Sequence, residues 1–163
     1  MPNPTGYSRL QIRLHWVITI LIAAQFVFHD SIVEAWEVFT KTGEAAFSPL
    51  VAAHVFVGIA ILVLALWRLV VRFKRGAPLP PESEHPLLKM LAHLSHWLLY
   101  ALMVLMPLSG AVAWFGGIQQ AATNHFYMKF ALMGLIVLHV IAALFHQFVL
   151  KTNLMKRMKT PQD

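Results

Sequence analysis

The chain has 163 residues, of which 58% are apolar and 12% charged, with a mean hydropathy of +0.64. That balance excludes an ordinary soluble domain and indicates a membrane protein. Cysteine is absent, which rules out disulfides, iron–sulfur ligation and thioether attachment of a cofactor. The formal charge of +6 comes from short basic clusters beside apolar runs, a pattern that sets membrane topology and argues against nucleic acid.

In chain order, four helices are expected, over residues roughly 10–32, 47–72, 88–114 and 125–150 of one integral-membrane domain covering 1–163. A spanning helix needs about 20 residues at about 1.5 Å each. The first apolar run follows Arg9 and Arg13 and has no small-residue cleavage site after it, so it reads as a retained helix and not as a signal peptide. A loop with Asp30, Glu34, Glu37 and Glu44 against a single Lys41 separates it from the second helix. The second helix leads through Arg68, Arg72, Lys74 and Arg75 into Pro78-Leu79-Pro80-Pro81, a stiff extended connector. The third carries Pro107, with Ser109 and Gly110 after it, late enough for a kink to be tolerated. It ends near Trp114, where Phe115-Gly116-Gly117 and then Gln119, Gln120, Thr123 and Asn124 form a flexible polar loop. His125 opens the fourth helix, and Lys151, Lys156, Arg157 and Lys159 follow it. By the positive-inside rule both termini of this all-α four-helix bundle are cytoplasmic, giving a multi-pass protein of a bacterial inner membrane.

Nine histidines in so apolar a chain call for a reason, because polar groups at membrane depth are costly and usually functional. His54, early in helix two, and His125 lie toward the outer face; His15, starting helix one, and His139, late in helix four, lie toward the cytoplasmic face. His125 and His139 are 14 positions apart, which on one helix is about 21 Å of rise and roughly the same face. Each therefore has a depth-matched partner on another helix: His54 with His125 outside, His15 with His139 inside. Such bis-imidazole pairs suit two non-covalent b-type haems in the bundle, with the four histidines as iron ligands. Gly58 and Gly134 fit room for a flat macrocycle, and equally fit close helix packing.

His96, near the cytoplasmic start of helix three, and His146, about two turns beyond His139, could line a pocket beside the inner haem, where a quinone carbonyl needs a donor and a proton source. An interfacial position explains them as well. His29, His85 and His93 receive no role. Trp16, Trp67, Trp97 and Trp114 fall at helix ends, as interface belts do. No phosphate loop or nucleophile elbow is present.

The opening Tyr7-Ser8-Arg9-Leu10-Gln11-Ile12-Arg13-Leu14-His15-Trp16, His54-x3-Gly58 with Trp67-Arg68-Leu69, Ala92-His93-Leu94-Ser95-His96 and the series His125, His139, His146 resemble the bacterial cytochrome b561 family over nearly the whole chain. The resemblance implies axial ligands at His15, His54, His125 and His139. It further implies a cytoplasmic quinone site at positions matching His96, His146, Ser8 and Arg9, and an activity passing electrons from superoxide to ubiquinone. The chain departs from the small stand-alone members in a shorter segment between helices three and four and a more acidic first outer loop. Both changes fall where superoxide would arrive, with Lys129 and Lys41 the outer cations able to attract it. An alternative is a cytochrome b subunit that serves a separate dehydrogenase or a soluble cytochrome.

Overall fold

The computed structural model describes residues 4–44, 48–81, 84–152 and 154–162, which are helical without any strand among them. Four helices are long and apolar enough to cross a membrane: α1 (Arg9–Val27), α3 (Pro49–Arg75), α4 (Pro86–Gly116) and α5 (Gln119–Phe148). Two shorter ones, α2 (Asp30–Thr42) and α6 (Leu154–Arg157), complete the chain.

Local chemistry marks the helix ends. Ser8 and Gln11 form a reciprocal capping box at the start of α1: the Ser8 hydroxyl accepts from the Gln11 amide, and the Gln11 side chain accepts from the Ser8 amide. Such a cap contributes about 1 kcal/mol. Ser48 caps α3 through the Val51 amide, with Pro49 in the first turn where its missing N–H costs nothing. Arg72, Lys74 and Arg75 occupy the last turn of α3 and complement its negative dipole end. Gly43 and Gly117 end α2 and α4 in the left-handed region that side chains rarely adopt.

The bundle packs α1 on α3, α3 on α4 and α4 on α5, while α2 lies on α3 and α6 on α5. Ile12, Leu14 and Ile18 of α1 and Val51, Ile61 and Ala65 of α3 form much of a narrow buried core. Most other large apolar side chains face outward, Phe56, Val63, Leu105, Leu138 and Ile141 among them. That outward apolar shell is the surface a bilayer covers.

The two chain ends meet at one end of the bundle. The Gln162 amide donates to the Tyr7 carbonyl at 3.0 Å, and the Trp16 indole donates to the Met158 carbonyl at 2.9 Å. We call this the terminal end.

Three boundaries differ from the sequence-based expectation. The first helix stops at Val27 and not near 32, because Asp30, Glu34 and Glu37 belong to a separate amphipathic helix, α2. Its apolar side (Ile32, Trp36, Phe39) faces the bundle, with Phe39 ring to ring against Trp114 at 6.4 Å. The expected start of the second helix at 47 lies outside the described residues; the helix begins at Pro49 and runs on to Arg75. The polar stretch after Gly117 is not a loop. It forms the first turns of α5, where Gln120 donates to Asn124 and Thr123 to the Gln119 carbonyl, satisfying the side chains one turn apart. His125 therefore does not open its helix but lies six residues inside it, about 9 Å along the axis.

Candidate functional site

Both histidine pairs expected from the spacing are brought together. The rings of His15 and His139 have centroids 6.3 Å apart with planes at 65°, and those of His54 and His125 are 6.4 Å apart at 67°. The first pair lies toward the terminal end and is called the near pair; the second is the far pair. With imidazole–metal bonds of about 2.0 Å and a ring centre about 1.1 Å behind the bonded nitrogen, trans imidazoles on one metal have centroids roughly 6 Å apart. Both pairs have that separation. Each also bridges helices outside the main packing pairs of the bundle, α1 with α5 and α3 with α5.

The far pair lines a cavity of about 400 Å³, within the ordinary range for ligand sites. Gly58, Gly110, Trp36 and Trp114 share its wall. His125 is held on its α4 side: its Nδ1 lies 2.9 Å from the Met106 carbonyl and 3.1 Å from the Ser109 hydroxyl. A carbonyl only accepts, so Nδ1 carries the proton and the lone pair is on Nε2, the arrangement a metal-ligating histidine needs. Gly110 permits this approach, since a Cβ there would come 3.1 Å from the His125 ring. The carbonyl of His54 accepts from Gln25 of α1 at 2.8 Å, and its Nδ1 is buried with no partner among the described residues. Neither His15 nor His139 spends a ring nitrogen on a hydrogen bond among those residues. His15, His54, His125 and His139 thus have the donor chemistry that would hold haem, which when bound would supply one-electron redox chemistry.

The residues expected at a quinone site are only partly assembled. His96 stands edge to face against His139, centroids 5.2 Å apart, with its Nδ1 turned back to the Ala92 carbonyl. His146 is buried, with one hydrogen bond and one carboxylate beside its ring nitrogens. Its Nε2 lies 3.0 Å from a Glu84 carboxylate oxygen and its Nδ1 3.2 Å from the Thr152 hydroxyl. Ser8 is buried in its capping role, and Arg9 is exposed at the start of α1. Gly134 has no side chain or backbone within 4 Å of a Cβ built on it, so close packing does not explain it; Gly58 meets Gln25 at ordinary contact distance.

Sequence reasoning missed several neighbours of these sites. Glu84 follows the proline-rich connector, where nothing suggests that its side chain is 3% exposed against His146. Arg68, read from the sequence only as one of the basic residues leading out of the second helix, lies about two turns inside α3, where it donates to the Tyr100 phenol at 3.0 Å and to the Gln11 carbonyl at 2.6 Å. His29, assigned no role, lines the far cavity, and its Nε2 accepts from the Lys129 ammonium at 2.8 Å. Partial burial first, and the adjacent Lys129 charge second, lower its pKa below the ordinary histidine value. Lys129 also sits 4.9 Å from the centres of the Phe126 and Phe130 rings. Lys41 is paired with Glu37 at 3.6 Å on the exposed side of α2.

Comparison with known proteins finds relatives over nearly the whole chain. Residues 6–161 match the sequence profile of prokaryotic cytochrome b561. A cytochrome b562 of Cereibacter sphaeroides is 40% identical, the match covering 99% of this chain and 100% of that protein. A probable superoxide oxidase CybB of Yersinia pestis is 30% identical over 93% of this chain and 94% of its own length. Cytochrome b561 homolog 2 of Escherichia coli is 24% identical over 96% and 92%.

Proposed function

The chain belongs to the prokaryotic cytochrome b561 family, whose members are b-type membrane electron carriers, and from that premise we propose that it is a diheme superoxide:ubiquinone oxidoreductase. The observation that carries the diheme reading is the pair of histidine couples, 6.3 and 6.4 Å between ring centres, standing about 21 Å apart along α5. In this reading His15 and His139 hold one haem and His54 and His125 the other. Bound haem would supply one-electron redox chemistry at each depth.

The residues define what the protein itself contributes. Met106 and Ser109 fix the His125 tautomer, and Gly110 lets the ring seat against α4. Lys129, beside His29 at the far cavity, offers the cation for an anionic donor. At the terminal end, His96 beside His139 and the His146–Glu84 pair are the candidate acid–base groups for a quinone, with Arg9 and Ser8 at the adjoining start of α1. Two superoxide ions each release one electron and leave as dioxygen. Ubiquinone takes up both electrons and two protons and leaves as the quinol.

The basic terminal end faces the cytoplasm in this reading, because Arg13, Arg72, Lys74, Arg75 and Lys156 lie there while Asp30, Glu34 and Glu37 lie opposite. Stopped-flow mixing of the haem-loaded protein with superoxide tests the assignment. Haem reduction should be fast, and reoxidation should require added ubiquinone. No reduction by superoxide would sink the substrate assignment and leave the electron carrier intact.

A second reading has its own support. The acidic helix α2 lies beside the far cavity, and it repels an anion while suiting a basic soluble electron donor. The relative with 40% identity is named as a cytochrome and not as an oxidase. Reduction by a basic soluble cytochrome that weakens with rising salt, together with inertness to superoxide, selects this electron-transfer role.

A further inference from the structure

Arg68 is a charged side chain inside the bundle whose described partners are all neutral. Its Nε donates to the Tyr100 phenol and its Nη1 to the backbone carbonyl of Gln11, and the Tyr100 ring centre lies 6.0 Å from its guanidinium carbon. Arg68 is itself half-buried, and its guanidinium reaches two buried residues, Gln11 and Tyr100 at 4% and 5% exposure, between α1 and α4. No ion pair joins Arg68 to a carboxylate among the described residues: Glu84 lies 3.0 Å from His146, and Asp30, Glu34 and Glu37 belong to α2 at the opposite end. A guanidinium has five donors in a planar fork, and two are used here. A half-buried arginine with no carboxylate among its described partners has donors to spare, and these match a carboxylate in bidentate geometry.

The neighbourhood identifies the anion. Gln11 is one turn before His15 on α1 and Tyr100 is one turn after His96 on α4, and His15 and His96 both stand ring to ring with His139. We infer that Arg68, oriented by Tyr100 and Gln11, is the counter-ion of a propionate carboxylate of the haem held at the near pair. This rests on the diheme reading above. Haem b brings its carboxylates with it, which would give this cation an anionic partner that the described residues do not supply. Tyr100 and Gln11 then act as positioning residues that keep the fork in one plane.

The test is potentiometric titration of both haems across pH in the haem-loaded protein, comparing wild type with Arg68→Gln and Arg68→Lys, alongside haem-to-protein ratios. Loss of the cation favours the ferric form. In Arg68→Gln one haem should become harder to reduce by about tenfold in its equilibrium constant, about 59 mV for one electron. The pH range over which that midpoint falls should move upward, because its carboxylate no longer has a cation holding it ionised. The other haem should be unchanged, and Arg68→Lys should lie between. If Arg68→Gln fails to retain the haem, Arg68→Lys carries the same comparison. Haem-loaded variants whose two midpoints track wild type at every pH overturn the inference, which is what a lipid phosphate partner or a purely structural arginine gives. A wild-type protein that binds no haem overturns the diheme reading itself, a distinguishable failure.

Discussion

Nδ1 of His125 donates to the carbonyl oxygen of Met106 at 2.9 Å, one residue before Pro107 in the neighbouring helix. This contact orients the imidazole and leaves Nε2 with a free lone pair, as the proposed haem ligation requires. It also explains why Ser109 and Gly110 follow the proline: the serine hydroxyl donates to the same carbonyl at 2.8 Å, and the glycine leaves room for the ring.

Gly110→Ala should displace that ring. The new methyl would meet His125 Cε1 at 3.1 Å with the helix backbone behind it, and overpacking of this kind costs about 1–3 kcal/mol. The expected result is selective loss of one haem, read as a reduced-minus-oxidised α band approaching half its wild-type intensity per chain. Full retention of two haems with unchanged spectra would count against the orientation described here.

Alanine at either α5 ligand should halve haem content by a different route. His139→Ala removes the near ligand and His125→Ala the far one, leaving the other pair intact. Pyridine haemochrome analysis should give about one haem per chain for each single variant and close to none for the double variant. Equal spectra from the two single variants would contradict two distinct sites.

Glu84→Ala should destabilise the protein out of proportion to its place in a connector. The carboxylate is 3.0 Å from His146 and nearly inaccessible, and removing one partner of a buried pair costs about 3 kcal/mol or more. A lower melting temperature in detergent is expected. Glu84→Gln, which keeps the volume and a hydrogen-bonding head, should recover much of it. Should the pair also serve proton delivery to quinone, Glu84→Gln will slow quinone-dependent haem oxidation while leaving haem content unchanged.

The contact between His29 and Lys129 should weaken in acid. Its folded pKa is lowered, so below the unfolded value of about 6.5 the unfolded chain binds the extra proton first. Stability is therefore full above that pH and declines as pH falls toward the folded value. His29→Gln lacks this proton uptake. The stability of wild type relative to the variant should fall as pH drops from 7 to 5 in thermal melts; a difference that does not vary with pH would refute the assignment.

Much of the architecture was legible in the sequence because bilayer physics is strict. A span needs about 20 apolar residues, and the long apolar runs around His54, Tyr100 and His139 have no other stable home. The helix ends were less legible. Gln119 to Asn124 reads as a polar loop, yet Gln120 pairs with Asn124 and Thr123 with the Gln119 carbonyl one turn away, and the left-handed Gly117 confines the turn to a short break. Asp30 to Lys41 reads as loop for the same reason, although its apolar side chains fall on one face at helical spacing.

By itself the sequence determined four apolar spans, one basic and one acidic end, and two histidine couples matched in depth, because helical rise converts residue separation directly into depth. Only the tertiary structure decided which groups serve those histidines. Met106 and Gly110 reach His125 across a helix interface, Glu84 reaches His146 from a connector, and Arg68 lies inside the bundle between α1 and α4. Those contacts join residues up to 62 positions apart, as Glu84 and His146 are. No local periodicity encodes them; they depend on which helix packs beside which and at what rotation about its axis.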